Sequence, residues 1–132
     1  MKERSMKKII STQEAPTPVG PYSQAVKVGK FLFVSGQIAI DPKMGKIVAT
    51  DIKGQTERTM ENLKIILKAA DYSLNDIVQT NVYLASMTLF SDFNSVYAKY
   101  FPKDFPARVT VGTAFMPDAL VEISAIAYKE KQ

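Results

Sequence analysis

The sequence predicts an α+β fold, one mixed β-sheet with two helices packed on a single face. Three observations carry this. Runs rich in Val, Ile, Phe and Tyr near both ends read as strands, two central segments repeat apolar residues at three and four positions, and a strand-like run separates those two segments. The order is ββ(β)αβαββ, and helices on one side of a sheet satisfy it. With 132 residues and 46% apolar content, the chain is sized for one domain around one core. Residues 1–132 are therefore read as a single domain, with residues 1–5 a flexible extension outside it.

The elements follow in order. Residues 7–11 form the first strand candidate, and residues 12–20 are a connection containing Pro16 and Pro18. Residues 24–28 and 31–35 are β-prone runs separated by Gly29-Lys30, a two-residue hairpin loop with its glycine. Asp41-Pro42-Lys43-Met44-Gly45 is a turn. From Asp51, a fair N-cap, one apolar helical face runs through Thr59, Met60, Leu63, Ile66 and Leu67 to about Ala70. Residues 77–84, with Val78, Thr80, Val82 and Tyr83, form a strand. Ser91 is the expected cap of a second helix whose inward stripe is Phe93, Val96, Tyr97 and Tyr100, and Pro102 ends it. Residues 107–114 and 120–128 are the last strands, expected to pair as a hairpin across a connection in which Asp118 is a turn residue.

Composition removes many chemistries. The chain has no Cys and no His, which excludes disulfides, thiolate nucleophiles, the usual zinc ligand sets and every His-based triad. The net charge of +4 is spread over the two ends, at Lys2, Arg4, Lys7, Lys8, Lys129 and Lys131, and no basic stripe interleaves with aromatics. Nucleic acid is therefore not an expected partner. No apolar run approaches the roughly 18 residues that span a bilayer, and the N-terminal residues are too polar for a secretory signal. A cytoplasmic location is expected.

Two charges stand out from an ordinary soluble surface. Glu122 lies between Val121 and Ile123 in a strand-like run, so its carboxylate is either partly buried or faces a cleft. Arg108 closes the run Phe105-Pro106-Ala107-Arg108, and a guanidinium binds a planar carboxylate through two parallel hydrogen bonds. Each residue alone also fits a structural role, Arg108 as an ion-pair partner and Glu122 as an inward charge that discourages edge-to-edge aggregation. If the last two strands pair from Ala114 with Leu120, Arg108 and Glu122 sit four residues apart, roughly 13 Å along one face. Either the register differs or the charges meet across a subunit boundary. The strands also carry apolar residues on both parities, at Val26, Val28, Phe31, Phe33, Val109, Val111, Ile123 and Ile126. Two helices cannot cover them all, so an oligomer is expected.

Gly20-Pro21-Tyr22-Ser23-Gln24-Ala25, Phe33-Val34-Ser35-Gly36-Gln37, Asn62-Leu63, residues 97–101, Pro106-Ala107-Arg108 and residues 121–127 together resemble the reactive intermediate deaminase A family (RidA, or YjgF). Their order and spacing cover nearly the whole chain. The resemblance implies a chorismate-mutase-like α+β fold, a homotrimer and ligand clefts between subunits. It also implies hydrolysis of enamines and imines, such as the 2-aminoacrylate released by pyridoxal-phosphate-dependent dehydratases, to 2-oxo acids and ammonia. By the same resemblance, Arg108 clamps the substrate carboxylate and Glu122 holds the attacking water. Tyr22, Ser35, Gly36 and Asn94 line the cleft.

At position 110 many relatives carry Cys where this chain has Thr110, whose backbone is still expected to face the ligand. A protonated imine is already electrophilic, so no metal and no organic cofactor is expected. Phe93, Tyr97 and Met116 are expected to tune side-chain preference. The rival reading is a ligand-sensing or regulatory trimer, or a ribonuclease-like protein acting on messenger RNA.

Overall fold

The computed structural model describes residues 6–115 and 117–131; the expected extension at residues 1–5, and Met116, lie outside them. Strands β1 (Lys7–Ile10), β2 (Ala25–Val28), β3 (Phe31–Gln37), β6 (Ile77–Leu84), β7 (Ala107–Gly112) and β8 (Val121–Tyr128) form a six-stranded sheet. Their order across it is β1-β2-β3-β8-β6-β7. Helices α1 (Ile52–Ala69) and α2 (Phe90–Tyr97) pack together and cover one face. The α+β fold with two helices on a mixed sheet is thus as expected. A two-strand ribbon, β4 (Ile40–Asp41) with β5 (Lys46–Ile47), brackets the predicted turn, where the Asp41 carboxylate accepts from the Lys43 and Met44 N–H groups. At two residues per strand it is too short to leave a periodic signal.

The core forms because strand alternation meets the helical stripe. Leu32 and Val34 of β3, Val82 and Leu84 of β6, and Val121, Ile123, Ala125 and Ala127 of β8 point beneath the helices. Met60, Leu63, Ile66 and Leu67 of α1 and Phe93 of α2 meet them, all without solvent exposure. Asp51 caps α1 by accepting from the Gly54 N–H at 3.2 Å. The opposite face is open. On it Phe31, Phe33 and Val109 are 43%, 45% and 53% exposed, while Ile123, grouped with them in the sequence, faces the helices.

Two expectations are corrected. The last strands do not form a hairpin: β7 pairs in parallel with β6, while β8 lies between β3 and β6, antiparallel to both. The physical reason is the intervening helix. A helical crossover lets β6, α2 and β7 form a parallel unit, and β8 then fills the slot that gives it two partners rather than one. Ser91 does not cap α2. A 3₁₀ turn, Met87–Leu89, precedes the helix, and its Ser86 side chain accepts from the Thr88 N–H at 3.2 Å.

Candidate active site

Glu122 is aimed by its neighbours. Val121 and Ile123 on β8 are fully buried under the helices, so strand alternation sends the Glu122 carboxylate to the open face. There β3 carries a β-bulge. Val34 pairs with Ala125 and Gln37 with Ile123, leaving Ser35 and Gly36 opposite the single residue Ser124. The bulge brings Gly36 against Glu122, and a Cβ there would overlap Glu122 Oε2 and lie 2.9 Å from its Cδ. Burial pushes the Glu122 carboxyl above its ordinary value. Among the described residues no hydrogen bond or ion pair reaches that carboxylate, so it is available to a ligand or a water molecule. A cavity of about 110 Å³, lined by Tyr22, Gly36 and Glu122 together with residues 16–19, adjoins it.

Three buried amides hold the surrounding loops. Gln24 donates from Nε2 to the carbonyls of Thr12 and Pro16 and accepts from the Thr12 N–H, fixing the Pro-rich wall. Asn62 on α1 donates from Nδ2 to the carbonyls of Ile38 and Ile40. Gln55 donates to the carbonyls of Ala49 and Asp118 and accepts from the Leu120 N–H, setting the approach to β8. Asp118 is a turn residue, at φ 74°. These amides satisfy loop backbone that would otherwise be buried without partners.

Arg108 occupies a different environment. It pairs in register with Thr80, whose side chain is buried beneath the helices, so it lies on the helix-covered side at the sheet edge. Its guanidinium carbon stands 5.0 Å from the Tyr97 ring centroid, 5.5 Å from Phe93 and 5.6 Å from Phe90. The Tyr97 hydroxyl is 2.7 Å from Thr80 Oγ1. Burial pushes the Tyr97 phenol up, against opposing contributions from the Thr80 hydrogen bond and the Arg108 charge. Among the described residues Arg108 forms no salt bridge. Three aromatic rings fix it and leave its charge uncompensated, the state of a guanidinium that receives an anion.

Within one protomer the two charges do not meet. Arg108 aligns with Thr80 and Glu122 with Tyr83, on strands either side of β6 and on opposite faces of the sheet. At roughly 4.8 Å between strands and 3.3 Å per residue, their Cα atoms stand about 14 Å apart. The expected placement along one face of a hairpin is therefore replaced by a separation through the sheet.

Of the remaining expected residues, Tyr22 and Gly36 join Glu122, while Asn94 joins Arg108 on the wall of a second cavity of about 280 Å³. Thr110 follows Arg108 on the same side of β7. Thr110 Oγ1 and Asn94 Oδ1 are buried without a hydrogen-bond partner. Ser35 lines neither cavity: its hydroxyl donates to the Ser23 carbonyl at 2.6 Å and ties β3 to the segment before β2. Sequence reasoning missed the roles of Gln24, Gln55 and Phe90. An amide on the apolar stripe of α1, as Gln55 is, was the available signal.

Fold and site define a two-layer α+β protein with a ring-caged guanidinium on one side of its sheet and a partly buried carboxylate on the other. Residues 12–129 match the family described as Endoribonuclease L-PSP, and the chain belongs to that family, the one that includes the RidA proteins. It is 57% identical over 126 residues to a RutC family protein of Pyrococcus horikoshii, covering 95% of this chain and all of the relative. It is 42% identical over 123 residues to the 2-iminobutanoate/2-iminopropanoate deaminase of Mus musculus, covering 92% of this chain and 91% of that one. The crystal structure of RidA from an Antarctic Psychrobacter superposes with a TM-score of 0.88 at 41% identity, covering 92% of this chain and 99% of the other. No helix among the described residues is long and apolar enough to cross a membrane.

Proposed function

We propose that this protein hydrolyses reactive 2-imino acids and their enamine tautomers, such as 2-iminobutanoate and 2-aminoacrylate, to 2-oxo acids and ammonia. One observation carries the reading: an arginine without an anionic partner and a carboxylate without a cationic one are held on opposite faces of one sheet. One protomer offers two half-sites. A second copy packed on the open face unites Arg108, Asn94 and Thr110 of one subunit with Glu122, Tyr22 and Gly36 of the next. A closed ring of three such copies also covers the exposed Phe31, Phe33 and Val109.

In this site Arg108 binds the substrate carboxylate and thereby places the imine carbon. The Glu122 carboxylate accepts a proton from water as the water oxygen bonds to the carbon of the protonated imine, whose C=N electron pair moves to nitrogen, giving a neutral carbinolamine. Glu122 returns the proton to nitrogen, the C–N bond breaks, and loss of the remaining hydroxyl proton leaves the 2-oxo acid and ammonia. Bonds and protons are exchanged and no electron is transferred. The raised pKa of Glu122 suits both directions of proton movement. Upstream, pyridoxal-phosphate-dependent dehydratases supply such imines.

The test couples the protein to a threonine or serine dehydratase and follows 2-oxo acid formation. Wild type accelerates it, and Arg108→Ala loses the acceleration while keeping its fold. Mixing unfolded and refolded Arg108→Ala with Glu122→Gln chains restores part of the rate, because mixed rings contain intact sites; no restoration overturns the shared site. The family description also favours a second reading, RNA cleavage, which requires RNA binding that weakens steeply with salt. Salt-independent or absent binding excludes it.

A further inference from the structure

The cavity beside Arg108 has a shape and lining that the clamp alone does not explain. Phe93, Tyr97, Phe101 and Phe105 form a continuous row of rings with centroid separations of 5.2, 5.0 and 6.2 Å. Arg108 stacks at the Phe93–Tyr97 end. At the other end Phe105 is 61% exposed, a large apolar side chain left at the surface. Between them lies the cavity of about 280 Å³, walled by Tyr97, Ala98, Phe105 and Pro106, with Asn94 and Arg108 as its polar members. That volume lies just under the roughly 300 Å³ at which drug-sized ligand pockets begin, and so suits a group of amino-acid size.

The chemistry of a 2-imino acid constrains where its side chain goes. The imine carbon is planar and carries the carboxylate, the nitrogen and the side chain, and water attacks from above that plane. Once the carboxylate sits on Arg108, the side chain leaves the same carbon within the plane and runs along a wall adjoining the guanidinium. Asn94 Oδ1, buried without a partner, is an acceptor for the imine N–H. The apolar walls remain for the side chain. On the Glu122 side lie a cavity of about 110 Å³ and another of about 440 Å³, the latter walled by polar Tyr83, Thr113, Glu122 and Ser124 as well as Ala114 and Phe115, so neither offers the row of rings found beside Arg108.

We propose that this aromatic-walled cavity is the substrate side-chain subsite, with Phe105 as its specificity-determining residue, and that it directs the protein toward 2-imino acids with bulky apolar side chains, branched aliphatic or aromatic, over 2-iminopropanoate. The proposal rests on the deaminase reading above. A methylene group in an apolar pocket is worth about tenfold or more in kcat/KM, so wild type favours the leucine-derived imine over the alanine-derived one by at least roughly tenfold.

The experiment generates imines in place from alanine, leucine and phenylalanine with an amino-acid oxidase and compares kcat/KM for wild type, Phe105→Ala and Ala98→Leu. Phe105→Ala removes a wall and Ala98→Leu fills the cavity; each lowers the leucine-to-alanine ratio roughly tenfold. Ratios unmoved in both variants overturn the proposal. Titration of the wild-type protein with 4-methyl-2-oxopentanoate and with pyruvate separates the two readings. Absence of turnover on every imine sinks the deaminase, whereas tighter binding of the bulkier oxo acid, lost in Phe105→Ala, still supports the subsite. Equal binding of both overturns it.

Discussion

Replacing Gly36 by alanine isolates the contact that aims Glu122. Gly36 does not use a left-handed φ, so alanine fits its backbone, and the conflict is with a side chain alone. The new Cβ would stand 2.9 Å from Glu122 Cδ and 3.1 Å from Cγ and would overlap Oε2. Carbon atoms rest at about 3.5–4.0 Å, so the carboxylate must retreat by roughly 1 Å. A misplacement of that size costs about a hundredfold in rate. Turning Glu122 off its rotamer costs about 1 kcal/mol, which lowers Tm by roughly 3–5 °C for a chain of this length. The dehydratase-coupled assay reads the first effect and a thermal melt the second. In a Glu122→Ala background the stability cost of Gly36→Ala disappears, because the obstructing side chain is gone. A Gly36→Ala protein with activity within about threefold of wild type, or a stability cost unchanged by Glu122→Ala, refutes this account.

Three further expectations can be checked directly. Burial raises the folded-state pKa of Glu122 above its unfolded value, so the folded protein binds the proton more tightly; stability is greatest below the ordinary glutamate pKa and falls as pH rises through the raised one. Denaturant titrations across that window show this slope for wild type and a flatter one for Glu122→Gln, while catalysis, which needs the ionised base, rises over the same window. Tyr97→Phe removes the hydrogen bond at 2.7 Å to the fully buried Thr80 and leaves that hydroxyl unpaired. It costs about 1–3 kcal/mol by urea unfolding, while the ring beside Arg108 is kept. Phe33→Asp places a charge on the open apolar face; sedimentation then shows dissociation to folded monomers without activity, and an intact, active oligomer refutes the proposed packing.

The chain order of the main elements was legible because local physics sets it. The α1 stripe from Thr59 to Ala70, the Asp51 cap and the Gly29 hairpin loop, at φ 60°, each follow from a few neighbouring residues. Arg108 and Glu122 were legible as chemistry because neither suits its apolar surroundings. Which strand lies beside which was not, since β7 and β8 read equally well as a hairpin. Local sequence carries no term for the slot between β3 and β6. The bulge at Ser35-Gly36 was equally invisible, because it exists only relative to the register of β8.

By itself, then, the sequence determined the two helices and the strands of the main sheet, the single core, the chemistries excluded by the absence of Cys and His, and the two charges worth pursuing. Only the tertiary structure decided that those charges lie on opposite faces of the sheet, that aromatic rings cage Arg108, and that Gly36 is the surface against which Glu122 rests. The reason is range. Propensity, capping and periodicity act over a few residues, whereas strand neighbours and register are settled by contacts between segments distant in the chain, whose energies no local stretch encodes.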